Sequence, residues 1–169
     1  MTHRGTTSLR PGWLDELGTV RAAMTRSVIA VAADVPAIEA LTSMYRSGVG
    51  GAPVVEHGRV EGVVTTADLL APRSFARETG PFLRPWGGAL EWRVRDLMTA
   101  SPLTASPDEP LIDAVIRMAR AHVDRLPVVD TDGRPIGIVA RDDVIRVLSR
   151  VAARRHTRIP ARRPVLVPD

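Results

Sequence analysis

A chain of 169 residues, 44 % apolar and 25 % charged, has the size and composition of one globular domain or two small ones. It has no cysteine, which excludes disulfides, thiolate metal sites and a cysteine nucleophile. Its net charge of +4 is uneven: residues 150–169 carry six arginines and one acid, a net of +5, so the rest of the chain is near neutral. The longest purely apolar run covers residues 28–33, far short of the ~20 residues of a spanning helix. The first thirty residues lack a basic start followed by an apolar stretch, so no signal peptide and a cytoplasmic location are expected. The four histidines, His3, His57, His122 and His156, have no ligand-like spacing, and no metal site is expected. Neither a GxGxxG nor a P-loop pattern occurs, and no catalytic triad or carboxylate pair can be assembled, so an enzyme is not expected.

In chain order, a lead over residues 1–19 opens onto a repeat. Residues 20–55 align with 94–129 at a constant offset of 74, with 15 identities in 36 positions, among them Val20, Met24, Thr25, Asp34, Pro36, Met44, Pro53 and Val54. One inserted residue then moves the offset to 75, where Gly58, Gly62, Val64 and Asp68 match Gly133, Gly137, Val139 and Asp143. A register this long is not chance. It divides the chain into the lead, a first copy over 20–70, a linker over 71–93, a second copy over 94–149 and a basic tail over 150–169.

Each copy reads alike. Met-Thr precedes a short apolar segment, residues 28–31 or 103–105. Asp34 or Asp108 is expected to cap a helix, with Pro36 or Pro110 in its first turn. Ile38, Leu41, Met44 and Tyr45 recur with a helical period, as do Ile112, Val115, Met118 and Ala119. Pro-Val-Val then opens a β-branched strand, a Gly-Arg turn follows, and a second strand runs over 60–64 or 136–139. A last helix is expected over 66–70 or 141–150. The order is β-α-β-β-α, an α/β (α+β) unit that leaves apolar surface exposed alone and buries it when two copies pack as a pseudo-twofold pair.

The ordered set Met-Thr, Asp-x-Pro, Pro-Val-Val, Gly-Arg and Gly-h-Val-x-x-x-Asp (h apolar), present twice in tandem, resembles a pair of cystathionine β-synthase (CBS) domains, the Bateman module. That resemblance implies a stand-alone regulatory module that needs no cofactor and binds an adenine nucleotide, AMP, ADP or ATP, in clefts between the repeats. It also implies a homodimer that signals to an effector protein. One implied site combines Asp143 with Thr25, Val28, Ile29, Val49 and Gly51. The other combines Thr65 and Asp68 with Thr99, Leu103 and Val123. Arg125 stands where related kinase regulatory subunits aim an arginine at phosphates.

The residues themselves admit two readings. In Gly62-Val63-Val64-Thr65-Thr66-Ala67-Asp68, a helix opening with a hydroxyl and a carboxylate can hold phosphate and ribose hydroxyls. Thr65-x-x-Asp68 is equally a capping pair. The second copy has Ala140 in place of Thr65 yet keeps Asp143, which favours a ligand role for the aspartate; Arg141 either compensates for the lost hydroxyl or points to solvent. The apolar site members also read as plain core, Gly48, Gly50 and Gly51 as a helix end and turn, and Arg125 as the partner of Asp124 or Asp130. The linker holds Phe75, Phe82, Trp86 and Trp92 and reads either as a cover over the helices or as a lid or dimer face. The arginine tail reads first as a solvated terminus and second as an arm for nucleic acid. A module with empty clefts that acts through protein contacts is the alternative function.

Overall fold

The computed structural model describes residues 11–70 and 92–156. A 3-10 turn, Gly12–Leu17, and helix α1, Val20–Ala23, precede strand β1, Val31–Ala32. Helix α2 (Ala37–Arg46), strands β2 (Gly51–Glu56) and β3 (Arg59–Thr65) and helix α3 (Thr66–Leu70) complete the first half. The second half repeats the order with α4 (Val94–Leu97), β4 (Thr99–Ala100), α5 (Leu111–Ala121), β5 (Arg125–Val129), β6 (Pro135–Ala140) and α6 (Arg141–His156). The mixed α/β class and the paired repeats are those the sequence implies. The linker over residues 71–91 and the tail from residue 157 lie outside the described residues.

Helices α2 and α5 bury one stripe each, Ala37, Ala40 and Met44 in one and Leu111, Ala114 and Met118 in the other. Tyr45 and Ala119, which share the helical period, lie at the edge of that stripe and face solvent; Tyr45 is 83 % exposed. Each helix ends on a left-handed residue, Gly48 at φ +65° and His122 at φ +54°. That conformation frees a backbone N–H to close the last turn and is easy only for glycine.

Asp34 and Asp108 do not cap these helices. The N-cap positions are Pro36 and Pro110, with no side-chain cap. Each aspartate stands two residues too early and turns to an arginine of the other half: Asp34 pairs with Arg95, and Asp108 accepts Arg21 Nε–H at 2.9 Å.

In the first half β2 runs parallel to β1 and antiparallel to β3, and β4 joins the free edge of β3 with Gly62 opposite Ala100 and Val63 opposite Thr99. In the second half β5 and β6 form the hairpin, Ala105 bridges to Val128, and Thr25 bridges to Ile138. Both hairpins carry a register shift at the same place, Val54/Val55 and Val128/Val129.

The segment that leads each copy therefore packs on the other copy. Leu17, Val20 and Ala23 complete the core built from Leu111, Met118, Leu126, Val128 and Val139. Val94 completes the core of Met44, Val54 and Val64, with Leu97 and Met98 packed against it. The backbone follows the same exchange. Val20 and Arg21 N–H donate to the carbonyls of Glu109 and Pro107 at 3.0 and 2.8 Å, and Val94 and Arg95 N–H donate to Val35 and Ala33 at 3.0 and 2.9 Å. These are the orphan donors of the first turns of α1 and α4, satisfied by the loop before the opposite helix. In return Leu111 N–H donates to Gly18 and Ala37 N–H to Trp92.

Two glycines admit the crossing segments. A Cβ on Gly137 would lie 2.6 Å from the Met24 sulfur and 3.2 Å from the Thr25 carbonyl oxygen. Gly62 stands in the same relation to Met98 and Thr99. Helix α6 runs on to His156, so Arg150, Arg154 and Arg155 of the basic stretch are helical; Val151 is buried and Arg155 pairs with Glu16 of the lead. Among the described residues no helix is long and apolar enough to cross a membrane.

Two outcomes follow from this exchange. Gly137→Ala should cost about 1–3 kcal/mol by overpacking. In a urea-unfolding cycle with Met24→Ala the two changes should couple; strictly additive costs would show that the glycine does not serve the crossing. The hydrogen bond from Arg21, aided by its charge, holds the Asp108 carboxyl below its usual range. A depressed folded-state value contributes stability above the unfolded-state pKa and loses it as pH falls through the folded one. Asp108→Asn should therefore destabilise most at neutral pH, with the deficit fading in acid. An equal deficit across a pH series of thermal melts would remove the pair from the fold's account.

Candidate functional site: a cleft between the repeats

The end of β3 and the start of α3 hold Thr65 and Asp68. Asp68 Oδ2 accepts the Thr65 backbone N–H at 2.9 Å and its hydroxyl at 2.6 Å, and Thr65 Oγ1 accepts the Asp68 N–H at 3.2 Å. The capping reading of this pair is therefore observed. It uses the Thr65 hydroxyl both as donor and as acceptor, so the hydroxyl reaches a phosphate only by leaving the cap. It leaves Asp68 Oδ1 without a hydrogen-bond partner among the described residues.

That carboxylate borders a cleft of about 620 Å³, within the range of small-molecule sites. One wall is Val63, Thr65, Ala67 and Asp68 of the first repeat. A second is Thr99, Ser101, Pro102 and Leu103, the segment that crosses from the second repeat. The third is the turn from α5 into β5, with His122, Val123, Asp124 and Arg125. Thr65, Asp68, Thr99, Leu103 and Val123, which the resemblance grouped, thus share one cleft, and Arg125 joins them.

Arg125 begins β5 opposite Ala140. It pairs with neither Asp124 nor Asp130. Asp124 is taken by Arg141, and Asp130 accepts the backbone N–H groups of Asp132 and Arg134 at 2.9 and 2.8 Å. Among the described residues Arg125 has no hydrogen-bond or ion-pair partner, although it is half-buried. An unpaired guanidinium and a carboxylate with a spare oxygen, on different walls of one cleft, can grip a ligand carrying an anionic group at one end and hydroxyls at the other. Arg141, the other residue weighed for the second copy, pairs with Asp124.

The residues grouped with Asp143 lie in different surroundings. Asp143 is 5 % exposed; its Oδ2 accepts the Ala140 N–H at 2.8 Å and its Oδ1 meets Arg146. A backbone cap therefore accounts for its persistence beside Ala140 as readily as a ligand role does. Gly51 is buried beneath Arg125. Thr25 is fixed through its backbone, trading hydrogen bonds with Ile138 at 2.9 Å each way. Val28 and Ile29 are half-buried, and Val49 packs against the core of the first half.

Sequence reasoning missed Ser101, Pro102, Asp124 and His122 as part of this wall. Three non-glycine residues among those described have a left-handed backbone, and two of them, Ser101 at φ +48° and His122 at φ +54°, line the cleft. Such conformations cost about 1–3 kcal/mol and concentrate at functional sites. The signal for His122 was available: it occupies the place of Gly48. Ser101 repeats Ser27 and carried none. Among the described residues no cluster of three or more His, Asp or Glu could hold a metal ion.

Comparison with known proteins agrees with this architecture. The CBS domain family matches residues 20–72 and 94–150. A CBS domain-containing protein of Dictyostelium discoideum is 32 % identical over 139 residues, 78 % of this chain and 92 % of that protein. The inosine-5'-monophosphate dehydrogenase of Korarchaeum cryptofilum is 33 % identical over 119 residues, 70 % of this chain, but the chain spans only 22 % of that protein's length. Among solved structures, the CBS-pair protein CBSX2 of Arabidopsis thaliana superposes with a TM-score of 0.66 at 30 % identity, covering 80 % of this chain and 97 % of that one. CBSX2 has also been solved in complex with AMP, with a TM-score of 0.63. On the residues matched and the exchange of segments between its halves, the chain belongs to the CBS-domain family.

Proposed function

We propose that the chain is a regulatory module that takes an adenosine nucleotide, AMP or a close relative, in the cleft between Asp68 and Arg125. The observation that carries this reading is the pair of unfilled polar groups on opposite walls: Asp68 Oδ1 on the first repeat and the Arg125 guanidinium on the second. In this reading Asp68 accepts the ribose hydroxyls, Arg125 faces the phosphate, and the base lies against Leu103 and Val123, both partly exposed. The AMP complex of CBSX2, 30 % identical, supports the same ligand class. The walls come from both repeats, so a ligand that touches them all ties the halves together. It shifts the module between states only so far as it binds one state better. A homodimer and an effector protein that reads the shift complete the proposal.

A module with an empty cleft that acts through protein contacts is the rival reading. Saturation of Asp143 by Ala140 and Arg146 favours it for the second repeat.

Titration calorimetry and thermal melts with AMP, ADP and ATP separate the two. Saturable binding is expected, and ligand at 100 times its dissociation constant should add about 2.7 kcal/mol of stability. Arg125→Ala should lower affinity by roughly tenfold or more, since it removes a charge-assisted contact. Heat and melting curves unmoved by any of the three nucleotides at millimolar concentration would defeat the nucleotide reading.

A further inference from the structure

The fold makes two clefts equivalent, and the side chains make them unequal. Position for position, Val123-Asp124-Arg125 of the second repeat corresponds to Val49-Gly50-Gly51 of the first. The first triplet walls the Asp68 cleft. The second would wall its twin on the Asp143 side, and the Arg125 side chain lies against it. A Cβ built on Gly51 would lie 2.5 Å from a guanidinium nitrogen, 2.8 Å from Cζ and 3.0 Å from Cδ, and one on Gly50 would lie 3.7 Å from the same group. The guanidinium therefore rests on two bare backbone units, where a second ligand would have to approach.

The two aspartates differ in the same sense. Asp68 keeps one oxygen free among the described residues. Asp143 has one oxygen on the Ala140 N–H and the other on Arg146, and it is buried. A carboxylate with both oxygens engaged cannot accept a pair of ribose hydroxyls without first giving up those partners.

We propose that the chain binds one nucleotide rather than two, in the Asp68 cleft alone, because Arg125 lies over Gly50 and Gly51 and Arg146 engages the Asp143 carboxylate. The proposal rests on the nucleotide reading above and adds the number and place of the ligand. It also gives Arg125 two duties, since the side chain that seals one hollow lines the other.

Calorimetry with AMP on the full chain should give a stoichiometry near one per chain. Val123→Trp places a large ring in the wall of the Asp68 cleft. Val123 is 37 % exposed and lies outside both cores, so the variant should keep its melting temperature. It should weaken AMP binding by roughly tenfold or more through steric filling, and Asp68→Asn should weaken it independently. A stoichiometry near two overturns the proposal. So does a single site that survives Val123→Trp at full affinity, because the ligand would then sit on the Asp143 side. No heat with AMP or ATP for the unaltered chain defeats the nucleotide reading itself, a result distinct from a second occupied site.

Discussion

A mutual trade of backbone holds the two halves together, and the cleft depends on it. The first-turn N–H groups of α1 and α4 have no partners in their own helices. Each pair finds carbonyls in the loop before the opposite long helix. The methionine that follows each short helix enters the space over a glycine of the opposite hairpin, Met24 over Gly137 and Met98 over Gly62. Neither half owns a complete core, since Val20 is buried in the second and Val94 in the first. The unit of stability is therefore the pair. The exposed ion pairs Arg21–Asp108 and Arg95–Asp34 ride on this exchange and add little energy by themselves. Their contribution is alignment, because each links a crossing segment to the loop that receives it.

The crossing also builds the cleft. Thr99 and Leu103 reach the Asp68 cleft because β4 adds to the edge of β3, which runs straight into α3 and that aspartate. A ligand there touches a strand end, a crossing segment and the turn after α5, three elements brought together by the pairing.

The duplication sets a symmetric frame, and a few side chains break it. Gly51 faces Arg125 across the halves, Thr65 corresponds to Ala140, and Gly48 to His122. Each substitution moves polar or cationic character to one side. The first cleft gains an unpaired guanidinium and a strained turn at His122; the second loses a hydroxyl and has its carboxylate satisfied internally.

Much of the fold was legible from the sequence because its signals are local or periodic. Helices α2 and α5 follow from apolar spacing, the hairpins from Pro-Val-Val and Gly-Arg, and the paired architecture from a register that two copies share. The grouping of Thr65 and Asp68 with Thr99, Leu103 and Val123 came from likeness to a family, and these residues do share one cleft. The capping of α2 and α5 was misread because Asp34 and Asp108 answer to arginines 61 and 87 residues away, a distance no local rule measures. The environment of Asp143 was not legible, because a backbone N–H, which every residue but proline has, caps there in place of the hydroxyl that Ala140 lacks. The sequence by itself determined the repeats, the elements and the motif that carries Asp68. Only the tertiary structure decided which copy each leading segment completes, and that Arg125 lies over Gly51, because both depend on which surfaces meet when two nearly equal halves close on each other.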